Sequence, residues 1–272
     1  MTRGAKVAVA LVFTASAVFG ADAAEPVRVP VVKIVRQIKR ADYEGNRSAL
    51  QHLYEKLAPF VEDKELGSRV RYWRGFALWR KALNALNGGE SVDSKEMEQD
   101  LTQALEEFKA AAAADPAFVD AKAGAISCLG NTMYLHREDQ ARLQELLDQI
   151  KPMVQEARAA APDNPRLIWV MGPNLWNTPP ERGGGQDKAI ESYLTALEAW
   201  RKQKDTVTDP LEPTWGEPEL YMSLSWSYLN RTAPDLVAAE KYARMALDLV
   251  PYWHYTRDIL LPQINEAKAK HH

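Results

Sequence analysis

One spacing recurs along the chain and limits what it can fold into. Ala104, Phe108 and Ala111 are followed by Pro116; Ala189, Tyr193 and Ala196 keep the same offsets of four and three; Ala239, Ala243 and Ala246 are followed by Pro251. A weaker copy reads Ile150, Val154, Ala157 and Pro162. Positions four and three apart share one face of a helix, and alanine there lets a second helix approach closely. The proline beyond cannot continue a helix, so it marks where each one stops. Self-similarity of this kind belongs to repeat architectures, in which each unit buries its apolar face against its neighbours.

Each copy needs a partner helix upstream, and four segments supply one: Arg71 to Leu78 around Gly75, Lys122 to Leu129, Ile168 to Leu175 around Gly172, and Tyr221 to Tyr228 around Ser225. A small residue at the centre of a helix suits close contact with the next one. Taken together, the paired pattern resembles the tetratricopeptide repeat (TPR). The segments Tyr72 to Trp79, Thr178 to Gly185 and Trp215-Gly216 are similar to those of a poorly characterised group of exported bacterial TPR proteins. That resemblance spans residues 65 to 265 and implies an all-α fold: antiparallel helix pairs stacked as a right-handed solenoid. Uneven repeat lengths place irregular insertions at Asn87 to Ser94, Asn177 to Gln186 and Lys202 to Glu217.

Helices are expected near 31–41, 47–61, 65–87, 93–114, 117–135, 137–160, 165–176, 186–202, 217–230, 234–249 and 252–269. Asn46, Asp93, Asn164 and Asp235 stand at starts, where a short polar side chain accepts a bond from an otherwise unpaired backbone N–H. Residues 25–64 fit the repeat poorly and read as N-terminal capping helices; 65–272 read as the solenoid with a C-terminal capping helix, since the terminal units of such arrays are atypical.

In the family that the chain resembles, the first helix of each pair lines a concave groove. Carried over position by position, the resemblance puts Tyr72, Phe76, Trp79 and Arg80 there from the first pair, and Ser127 and Asn131 from the second. It adds Arg166, Trp169, Trp176 and Asn177 from the third, and Met222, Trp226 and Asn230 from the fourth. Indole offers a large apolar face with one N–H donor, which suits a half-wet groove; the same rings could instead pack between helices. Asn131, Asn177 and Asn230 share one register. A ladder of amides could hold a peptide backbone, but asparagine also ends helices. Gly183 to Gly185 precede a helix without a strand before them, and Lys188 is followed by alanine, so they read as a tight turn rather than a phosphate loop.

The remaining chemistry is sparse. Acids and bases are interspersed and the net charge is -3, which argues against nucleic acid as a partner. The five histidines show no metal-binding spacing, no Gly-x-Ser-x-Gly elbow occurs, and the single cysteine, Cys128, lies in an apolar helical pattern. No cofactor and no enzyme activity are expected. Arg3 and Lys6 precede an apolar run from Val7 to Gly20 and small residues at 21–24, the order of a secretory signal peptide. Cleavage after Ala23 or Ala24 would leave a protein with no membrane-inserted segment, periplasmic or secreted. The functional expectation is a non-catalytic binding or scaffold protein that holds a peptide or protein partner in the aromatic groove. The alternative is a small-molecule-binding accessory of a transport system.

Overall fold

In the computed structural model, residues 25–88 and 93–270 are described; the signal-peptide pattern, and His271 and His272, lie outside them. Eleven α-helices follow one another, with no strand among the described residues. They are α1 (Glu25–Tyr43), α2 (Arg47–Lys56), α3 (Gly67–Asn87), α4 (Ser94–Ala114), α5 (Val119–Leu135) and α6 (Gln140–Ala160). Then come α7 (Pro165–Asn177), α8 (Gln186–Gln203), α9 (Glu217–Asn230), α10 (Leu236–Leu249) and α11 (Leu261–Lys270), the last preceded by a π-helical stretch, Tyr255–Leu260. The pairs are α3/α4, α5/α6, α7/α8 and α9/α10, so the molecule is an all-α helical solenoid. None of the described helices is long and apolar enough to cross a membrane.

The repeated seam is the core. Ala104, Ala111, Ala157, Ala189, Ala196, Ala239, Ala243 and Ala246 are all fully buried, with Phe108 and Tyr193 between them. Facing them are the small residues of the partner helices. A Cβ added at Gly75 would stand 3.1 Å from the Ala104 carbonyl oxygen and from the Phe108 ring, and one at Gly172 would fall 2.2 Å from the Tyr193 ring. At Ser225 the side chain fits and the hydroxyl donates to the Ala239 carbonyl at 2.8 Å. Backbones that approach this closely leave no room for a larger residue.

Three pairs end in one turn. Asp115, Ala161 and Val250 each donate their N–H to the carbonyl four residues back, at 3.0 Å, and then turn extended. Each precedes a proline, whose ring disfavours helical geometry at the residue before it. The turns then close from Phe118 to Asp115, Asn164 to Ala161 and Trp253 to Val250, at 3.0 to 3.1 Å, with Pro116, Pro162 and Pro251 at the second position, where the fixed φ of proline fits. The α8 copy has Arg201 in place of the proline. Its helix runs on to Gln203 and opens into the insertion.

Asn46, Asp93, Asn164 and Asp235 accept N–H bonds from the first turns of α2, α4, α7 and α10. At the glycine triplet, Gly183, Gly184 and Gly185 give their N–H groups to the carbonyls of Pro180, Pro179 and Leu175. Gly183 and Gly185 have positive φ. With its donors spent inside the loop, the triplet is a turn and has none left for an anion.

Candidate functional site

The groove assigned to the first helices divides into a half covered by the chain itself and a half open to solvent. In the covered half, Tyr72, Phe76 and Trp79 on α3 are each 1% exposed. Two segments cover them. One is α1, whose Val31, Val35 and Ile38 are buried in the same core. The other is the end of the 202–217 insertion, Leu211 to Gly216, here termed the strap.

Trp215 of the strap sits among Phe76, Trp79 and Trp169, with ring centres 5.7, 5.8 and 5.5 Å away in tilted and edge-on arrangements. Rings prefer these geometries because the positive edge of one meets the negative face of another. Its indole N–H donates to the Tyr72 hydroxyl at 2.8 Å, and that of Trp73 donates to the Leu211 carbonyl at 2.7 Å. Trp169 is half-buried, and its N–H donates to the Ser223 hydroxyl.

The two groove arginines are held by carboxylates of the same chain. Arg80 donates to Asp42 Oδ1 at 2.8 Å, and Asn84 donates to the same oxygen. Arg166 pairs with Asp120 and donates to the Trp215 carbonyl at 3.2 Å and to Gln203 Oε1 at 2.9 Å. A buried charge without a partner costs several kcal/mol, on the order of 3–5 when the partner is removed, so these carboxylates are what allows the arginines inside. Next to Arg80, the Tyr43 hydroxyl donates to Glu219 Oε1 at 2.8 Å, while the Gly216 N–H donates to Oε2 at 3.0 Å. Burial pushes the Glu219 carboxyl above the usual range and Asp42 adds to this, against Arg80 and the Tyr43 hydrogen bond. Burial likewise raises the Tyr43 hydroxyl and lowers Lys39, whose ammonium donates to the Thr214 hydroxyl.

Asn131, Trp176, Asn177, Trp226 and Asn230 make up the open half. Trp176 and Trp226 meet edge to face, ring centres 5.1 Å apart, and Trp226 is 37% exposed. The three amides hold equivalent positions, yet each spends Nδ2 on the carbonyl four residues earlier: Ser127, Pro173 and Trp226, at 2.7 to 2.8 Å. Their Oδ1 atoms remain to accept. Each Nδ2 carries two N–H groups, so at Asn177 and Asn230 one donor remains beside the Oδ1 acceptor.

Sequence reasoning missed the strap and the carboxylates Asp42, Asp120 and Glu219. One signal was present: Leu211, Pro213 and Trp215 alternate with Glu212 and Thr214 inside an otherwise polar insertion, the period of an extended segment with one buried side. A cleft of about 210 Å³ lies beside the strap, lined by Arg166, Trp200, Gln203 and Thr214 among others.

No protein-family model matches the chain, and no curated protein matches it. Among solved structures it is similar to TTC0263, a thermophilic TPR protein of Thermus thermophilus. The two share 20% identity at a TM-score of 0.51 over 89% of this chain and 99% of that one. At that identity the likeness is one of fold: an all-α solenoid of tetratricopeptide-type helix pairs.

Proposed function

We propose that the protein is a non-catalytic binding or scaffold module, exported by the leader pattern of its first residues, that holds an extended peptide or protein segment on the open half of the groove. The edge-to-face pair of Trp176 and Trp226 carries this reading. Large aromatic faces set beside free acceptors, on helices that are already formed, are what a segment of chain can dock against. Trp176, Asn177, Trp226 and Asn230 would contact the guest directly, with Asn131 at the margin. Tyr72, Phe76, Trp79, Arg80, Arg166 and Trp169 belong to the covered half and would not touch this guest.

Selection from a random-peptide display library on the immobilised protein tests the reading. Enriched peptides are expected to bind in the micromolar range, and Trp176→Ala or Trp226→Ala is expected to weaken them about tenfold, equal to about 1.4 kcal/mol, with helicity unchanged. Binding that is indifferent to both replacements would place the guest elsewhere.

A further inference from the structure

The strap is bound as a guest would be. Leu211, Pro213 and Trp215 are buried and Thr214 is exposed, with Glu212 between these extremes, so alternate side chains enter the groove although the chain turns at Leu211 and bends at Glu212. Helix side chains hold its backbone: Trp73 donates to the Leu211 carbonyl and Arg166 to the Trp215 carbonyl. Others read its side chains. Tyr72 accepts from the Trp215 indole, Arg69 donates to Glu212 at 2.7 Å, and Lys39 donates to Thr214 at 3.0 Å. By contrast the preceding stretch, Lys204 to Pro210, is largely exposed and is tied across to α1 by the half-exposed Arg28–Asp209 ion pair.

We infer that the covered half of the groove is a segment-binding site occupied in cis, and that the ligand class it recognises is a short peptide segment with Leu, Pro and Trp at alternate positions. Both ends of the strap are tethered, which keeps its local concentration in the millimolar range or above. A competing segment from another molecule is therefore excluded while the strap is seated. The site and its residues differ from the open half formed by Trp176 and Trp226, so loss of binding there leaves this inference standing.

The test uses a fluorescently labelled synthetic peptide of residues 208–216 and the full chain in which residues 205–215 are replaced by a Gly/Ser sequence of equal length. Gly216, whose φ of 141° suits glycine, is retained. The replaced chain is expected to bind the peptide saturably and at least about a hundredfold more tightly than the unmodified chain does. A peptide carrying Leu211→Ala and Trp215→Ala should not bind. Where the replaced chain has lost helicity, the unaltered peptide should restore it. A second variant, Trp215→Ala in the otherwise intact chain, removes the central anchor alone and should bind the peptide more tightly than the unmodified protein. A helical replaced chain that ignores the peptide would overturn the inference. So would an unmodified chain that binds it as well as the variants do, or a Trp215→Ala chain that gains nothing.

Discussion

Gly172 and Gly130 lie on successive first helices and should respond oppositely to the same change. A methyl at Gly172 meets the buried Tyr193 ring at 2.2 Å, while at Gly130 nothing stands within 4 Å. Gly172→Ala is therefore expected to cost about 1–3 kcal/mol through overpacking. Gly130→Ala should add about 0.5–1 kcal/mol by restricting the unfolded chain. Urea unfolding of the two variants checks both signs, and a loss at Gly130 would mean that its surface is not free. The small residues at Gly75, Gly172 and Ser225 were legible because close helix approach is written into neighbouring repeats. The role of Arg80 was not. Its position named a face, but its partner Asp42 lies 38 residues away on another element. Replacing Asp42 with Ala strands that guanidinium in the core and should cost about 3–5 kcal/mol, measured in the same way. A cost near that of an exposed ion pair would show that Arg80 escapes to water.

At the level of elements, the helix ends were readable wherever proline set them, and the one pair lacking that proline is the pair that opens into the insertion. What the insertion does was not readable. Periodicity tells which side of a helix is covered and is silent on what covers it, and the family resemblance implied a groove left empty. The strap meets α9 at Gly216 and Glu219, and this junction carries a pH dependence. The folded carboxyl of Glu219 holds its proton to higher pH than the unfolded chain does. Its contribution to stability is therefore complete below about 4.5, the unfolded value, and is lost as pH rises through the folded value. Every tenfold difference in acidity between the two states is worth about 1.4 kcal/mol. Glu219→Gln keeps the shape without the titration, and Asp42, Arg80 and Tyr43 face both side chains alike. The stability of Glu219→Gln relative to the unmodified protein should accordingly rise with pH across that window and level off above it. Urea midpoints measured from about pH 4 to 8 decide this; a relative stability that falls with pH would mean that Arg80 outweighs burial and keeps the carboxylate ionised.

Across the whole molecule, a stack of helix pairs joined only to neighbours would unfold piecemeal, because each unit's stability depends on the one beside it. Here α1 ties together segments that are far apart in the sequence. Its start pairs with Asp209, its end packs Tyr43 edge-on against Trp253 at 5.0 Å, and the Tyr43 hydroxyl reaches Glu219 across 176 residues of chain. The same helix packs along α3, so the first pair and the last are joined through it. Such closure converts neighbour-only coupling into one cooperative unit. Tyr43→Ala removes a partly buried ring and its hydrogen bond, a loss toward the low end of the ~3–5 kcal/mol that a core aromatic costs, which for a chain of this size lowers Tm by roughly 2–4 °C per kcal/mol. The distinguishing readout is amide hydrogen exchange. Protection is expected to fall in α9, α10 and the π-helical stretch as well as in α1 and α3, far from the substitution in sequence and on both sides of the strap. If faster exchange stays within α1 and α2, the first and last pairs are coupled only through the repeats between them, and the closure has no energetic consequence.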